Sequence, residues 1–211
     1  MAAASGRLST GIDVLDRRLD GGLPAGSVVA YTAPPASQAE LLLYELTRAR
    51  PTLYLSTERT EQAVRDAFDT TPAPTGDPRI SYVAGDAPLD NAQRLFRNIS
   101  GEANLVVDPV DVLERTPRNR YVNFMNDLQT HMQNIGGVAV LHALRGSDVP
   151  EHRDTTEHMA DVVFQLDVQS RGDEVETRLS VPKFRGGRAP SDTIKLELAE
   201  RVRIDTSRDI A

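Results

Sequence analysis

TAPPASQAELLLYEL, residues Thr32 to Leu46, is the stretch on which the reading of this chain turns. An apolar run, Ser27–Thr32 (SVVAYT), leads into it, and Leu41, Leu42, Leu43 and Leu46 leave it on a helical pattern. Strand, tight loop and helix in that order have the shape of a phosphate-binding loop. Yet between Ala33 and Glu40 there is neither a glycine nor a lysine.

Outward from this stretch, short apolar runs alternate with helical patterns. Strands are expected at Ser27–Thr32, Leu53–Thr57, Ile80–Val83, Leu105–Val107 and Val138–Leu141. Helices are expected at Gln38–Arg48, Thr60–Phe68, Leu89–Ser100 and Tyr121–Ile135. In the last, Tyr121, Phe124, Met125, Leu128, Met132 and Ile135 fall at offsets of 3, 4, 7, 11 and 14, one face of a helix that packs on a core. Such alternation implies a parallel sheet with right-handed crossovers. After Met159 the pattern changes to strands at Asp161–Val168, Val175–Phe184 and Thr193–Leu198, with turns at Arg171-Gly172-Asp173 and Arg185-Gly186-Gly187-Arg188. This predicts an antiparallel extension of the same sheet. The Pro/Gly-rich segment Thr70–Arg79 reads as a loop inside one domain.

Composition bounds the rest. With 211 residues and 39% hydrophobic content, a single packed domain spanning 1–211 is expected, with 1–7 a flexible N-terminus and 205–211 a tail. No apolar run reaches the roughly 18–20 residues of a membrane span, and MAAASGR has no secretory pattern, so no membrane partner and a cytoplasmic protein are expected. There is no Cys, and His131, His142, His152 and His158 show no ligand spacing, so no metal site is expected. The net charge is −7, and Lys183 and Lys195 are the only lysines among 24 basic residues. An acidic, Lys-poor, Arg-rich surface is similar to that of proteins from salt-loving archaea. It also argues against a uniformly basic nucleic-acid face.

Thr10-Gly11-Ile12-Asp13-Val14-Leu15-Asp16, then Gly21-Gly22-Leu23-Pro24-Ala25-Gly26-Ser27, then a strand and the APPAS loop, resemble the opening of RecA-superfamily ATPases, most closely the KaiC-like/RadA-like branch. Leu53–Glu58 resembles that family's second strand with its catalytic carboxylate, and Leu105–Asp108 its Walker B strand. His158–Val163 and Val181–Gly186 resemble two later segments, and all the matches run in family order from Leu8 to Ile204. The resemblance implies an α/β, RecA-like P-loop NTPase fold: a mostly parallel central sheet flanked by helices, with an antiparallel C-terminal extension.

The loop departs from the family pattern G-x-x-x-x-G-K-[ST]. Its residues are Ala33, Pro34, Pro35, Ala36, Ser37, Gln38, Ala39 and Glu40. Ala39 holds the Lys position and Glu40 the Ser/Thr position. A P-loop aims backbone N–H groups at phosphate oxygens, and its glycines allow positive φ and close approach. A Cβ at such a position costs roughly 1–2 kcal/mol. The missing Lys removes a charge-assisted bond worth roughly 1.5–3 kcal/mol, and the missing Ser/Thr removes a magnesium ligand. Glu40 adds a carboxylate where phosphate oxygens would lie. Neither ATP nor magnesium is therefore expected as a cofactor, and no confident catalytic residue emerges.

By resemblance, Glu58 stands at the water-activating position and Asp108 at the magnesium-orienting one, both as vestiges. Arg59 replaces a second family Glu. Lys183 and Arg185 match residues that family members present to a neighbouring subunit's nucleotide, which marks a candidate subunit interface. Arg115, Arg118 and Arg120, in the expected loop Glu114–Arg120, are candidate DNA contacts; in so acidic a chain a solvated Arg-rich surface is the favoured reading of them. The second loop a RecA-like fold would turn toward DNA, Leu144–Asp154, is mixed in charge. Three functions follow: a pseudo-ATPase acting as a regulatory or scaffolding subunit, by self-association or with a RecA/KaiC-like relative; a DNA-binding transcriptional regulator or recombination and repair accessory; or an atypical ATPase.

Overall fold

The structure is a computed structural model that describes residues 6–171, 174–198 and 202–204. Residues 1–5 and 205–211, and Gly172 and Asp173 of the expected turn, lie outside the described residues. Along the chain run β1 (Arg7–Leu8), α1 (Asp13–Arg18), β2 (Leu23–Pro24), β3 (Val28–Ala33), α2 (Glu40–Leu46), β4 (Thr52–Ser56), α3 (Glu61–Thr70), β5 (Arg79–Tyr82) and α4 (Pro88–Phe96). Then come β6 (Asn104–Asp108), α5 (Asp111–Glu114), α6 (Arg118–Ile135), β7 (Val138–Leu144), α7 (Arg153–Met159), β8 (Val162–Arg171), β9 (Glu174–Phe184), β10 (Ile194–Leu198) and β11 (Val202–Ile204). A nine-stranded sheet has the order β11-β10-β9-β8-β3-β7-β6-β4-β5. β8, β3, β7, β6, β4 and β5 pair in parallel, and β8–β9, β9–β10 and β10–β11 are antiparallel. β1 and β2 form a separate antiparallel pair. Arg7 thus opens a strand, although the sequence placed it in the flexible N-terminus.

The central strands are apolar on both faces, as buried parallel strands must be. On β6, Val106 faces a core with Tyr31, Tyr54, Val140, Leu42, Leu43 and Phe68. Its neighbours Leu105 and Val107 face the opposite core with Leu55, Leu141, Phe96, Phe124, Met125 and Leu128. α2 lies in the first core and α6 in the second. α2 is buried from Leu41 to Leu46 and is shorter than expected. α6 starts three residues earlier than expected, at Arg118, because Pro117 supplies an extended backbone before the first turn. Gly136, at φ 67°, ends it in the left-handed conformation favoured there.

Candidate functional site

The carboxyl ends of β3, β4, β6 and β7 meet at one edge of the sheet, where open α/β sheets place their ligands. The loop after β3 lies over this edge. Among the described residues Asp20 is the only non-glycine with positive φ. The Ala33–Glu40 segment therefore lies wholly in ordinary backbone regions, and its alanines carry no left-handed strain. Ser37 Oγ donates to Pro34 O at 2.6 Å and closes the loop on itself. Ala39, at φ −58° and ψ −32°, already has helical backbone and offers α2 no side-chain cap.

Beneath the loop is a cleft of about 240 Å³ lined by Pro35, Glu40, Glu58, Arg59, Asp108, Pro109, His142 and Leu144. Asp108, 5% exposed, is its centre. Arg59 Nη2 donates to Asp108 Oδ2 at 2.7 Å, Tyr54 Oη donates to the same oxygen at 2.5 Å, and His142 Nδ1 lies 2.6 Å from Oδ1. These partners come from three places: the loop after β4, the body of β4 and the adjacent strand β7. Arg59 is folded back by Ser56, whose Oγ accepts from Arg59 N at 3.1 Å and donates to Arg59 O at 2.7 Å. Burial alone would raise the Asp108 pKa; the hydrogen bonds and charges of His142, Tyr54 and Arg59 outweigh it and hold the carboxyl at about 2. Burial, helped by the Asp108 charge, keeps the Tyr54 hydroxyl protonated far above its usual range. Asp108 is thus ionised, so His142 Nδ1 carries the proton they share. His142 stacks on Tyr31 at 5.4 Å between ring centroids, and its Nε2 is buried without a partner among the described residues. Glu40 is half-buried and Glu58 exposed, and among the described residues neither has a hydrogen-bond or ion-pair partner.

The other expected residues lie apart from this cleft. Lys183 Nζ donates to Glu157 O at 2.9 Å and His158 O at 2.6 Å, and Arg185 Nη2 donates to His158 O at 3.0 Å. Both therefore bind the carbonyls that end α7 of their own chain, where cations are favoured. The expected Glu114–Arg120 loop is only Arg115–Pro117. Glu114 is buried at the end of α5, and Arg118 and Arg120 belong to the first turn of α6. Arg115 pairs with Asp148 at 2.8 Å and Arg120 with Asp90 at 2.7 Å; Arg118 is exposed and, among the described residues, unpaired. Behind them lies a buried cluster that sequence reading missed. Arg153 donates to both oxygens of Glu114 at 3.0 Å and to Asp111 Oδ1 at 2.9 Å, while Thr156 donates to Glu114 and Tyr121 donates to Thr156. Among the described residues no group of His, Asp and Glu could hold a metal ion, and no helix is long and apolar enough to cross a membrane.

A KaiC-like protein from the hyperthermophilic archaeon Pyrococcus horikoshii superposes with a TM-score of 0.71, over 95% of this chain and 99% of that one, at 16% sequence identity. The mostly parallel sheet flanked by helices, with its antiparallel C-terminal strands, is a RecA-like fold. No curated protein matches the sequence. The chain belongs to DUF7125, a family of unknown function, which it matches over residues 7–211.

Proposed function

We propose that this protein is a RecA-like chain without ATPase activity, acting as a regulatory or scaffolding subunit through protein contacts. The observation that carries the reading is the closure of Asp108 by its own chain. Both its oxygens are bonded, one of them to Arg59, so the carboxylate that would orient magnesium already has a cation. A magnesium nucleotide fits the neighbouring residues poorly: Ala39 has no ammonium to offer the phosphates, and Glu40 and Glu58 would repel them. Self-association, or assembly with a RecA/KaiC-like relative, is the partner this reading favours. The test is the melting temperature with and without millimolar Mg-ATP or Mg-ADP. A ligand at about 100 times its Kd adds about 2.7 kcal/mol to the folded state. No shift is expected, and a shift of several degrees that Glu58→Gln or Asp108→Asn abolishes would restore the ATPase reading.

A second reading, DNA contact through Arg115, Arg118 and Arg120, is favoured by the exposed and unpaired Arg118. Exposed ion pairs are worth only about 0–1 kcal/mol, so phosphates could displace the partners of the other two. Retention on DNA that falls steeply with salt, and less steeply in Arg118→Ala, is the result that would favour it.

A further inference from the structure

We infer that the cleft under the Ala33–Glu40 loop takes a cationic N–H donor, an ammonium or guanidinium group, rather than an anion. The inference rests on the reading that Mg-ATP is not its ligand. Arg59 is committed to Asp108, and Tyr54 donates to that same carboxylate. Three cleft-lining groups then remain without a partner among the described residues: the carboxylates of Glu40 and Glu58, and His142 Nε2. Glu40 and Glu58 offer only acceptors. The His142 ring is about nine-tenths or more buried, at 5% exposure, and its Nδ1 lies against Asp108; an imidazole that donates from Nδ1 alone has a lone pair at Nε2.

A buried polar atom without a partner is uncommon and calls for an explanation. One group that brings several donors and a positive charge would satisfy all three acceptors. A phosphate brings acceptors and negative charge to a cleft that already has both. Size agrees: about 240 Å³ is below the roughly 300–1,000 Å³ of pockets for whole small molecules, and suits a side-chain-sized head group. The shared chemistry has two sources, a free small cation or an arginine side chain from a second copy of this chain.

The experiment titrates the full chain with agmatine, with ionic strength held constant by tetramethylammonium chloride. It follows the imidazole C–H signal of His142, assigned by its absence in His142→Gln. A saturating shift is expected, weakened about tenfold or more in Glu40→Gln/Glu58→Gln. Neither carboxylate supports another group, so that variant is expected to fold. If the cation comes from a second copy, the wild type sediments as an oligomer that agmatine dissociates and the double variant does not form. No saturable shift and no agmatine-sensitive oligomer would overturn the inference, as would an equal response to tetramethylammonium, which has no N–H. Mg-ATP binding in the melting experiment would instead overturn the reading beneath it; no ATP and no agmatine binding would remove the inference alone.

Discussion

Asp108 is the residue whose protonation couples the cleft to the stability of the fold. Its carboxyl sits at about 2 in the folded chain against 3.8 for the free side chain. The depressed value means that the stabilisation is complete above about pH 4 and is lost as pH falls through 3.8 toward 2. The difference is worth about 2 kcal/mol. Urea unfolding from pH 6 to 2 should therefore show an acid limb that is flatter in Asp108→Asn, with lower stability for that variant at pH 6. An unchanged limb would mean that Arg59, Tyr54 and His142 do not favour the charged carboxylate. The sequence pointed to Asp108 but not to what holds it. Arg59 read as a departure from a family glutamate, and nothing local announces that it reaches across to the next strand. Tyr54 read as one more apolar strand position. His142 read only as a histidine without ligand spacing, because its partner lies 34 residues away on β6.

At the scale of elements, α7 is held by charge rather than by oil. Its buried residues are Arg153 and Thr156, so RDTTEHM carries no apolar stripe for a periodicity argument to find. That is why it was not assigned as a helix, while α6, with its long apolar face, was legible to within three residues. The strands of the central sheet were legible for the same reason as α6: buried parallel strands are continuous apolar runs with abrupt ends. α1 and the β1–β2 pair went unread because such short elements leave no period to detect. Removing one member of a buried ion cluster leaves the others uncompensated. Arg153→Met is expected to cost about 3–5 kcal/mol, because two buried carboxylates lose their cation. Adding Asp111→Asn and Glu114→Gln should recover much of that loss. Denaturant midpoints for the single and triple variants measure both, and a single variant within about 1 kcal/mol of wild type would mean that water already reaches the cluster.

For the whole molecule, the order of strands matters more than any one contact. The fold class was legible because the motifs come in sequence order. Which strands sit side by side was not, since register depends on pairings between distant segments. β3, which carries the loop, pairs with β7 through Val28 and Ala139 and with β8 through Val29 and Val162. Both neighbours come from the second half of the chain. A chain ended after Leu144 would leave the β8 side of β3 as an open edge, with its backbone N–H and C=O groups unpaired. Such a fragment is expected to exchange the β8-facing amide protons of Val28–Ala33 rapidly and to aggregate, and slow exchange of those protons would contradict the pairing. The same order governs birth on the ribosome. The first apolar strand of the central sheet is made early, yet it has no strand to pair with until β7, and then β8, has emerged more than a hundred residues later. Through that interval Val28, Val29 and Tyr31 are bare apolar side chains on a nascent chain, a natural target for chaperones.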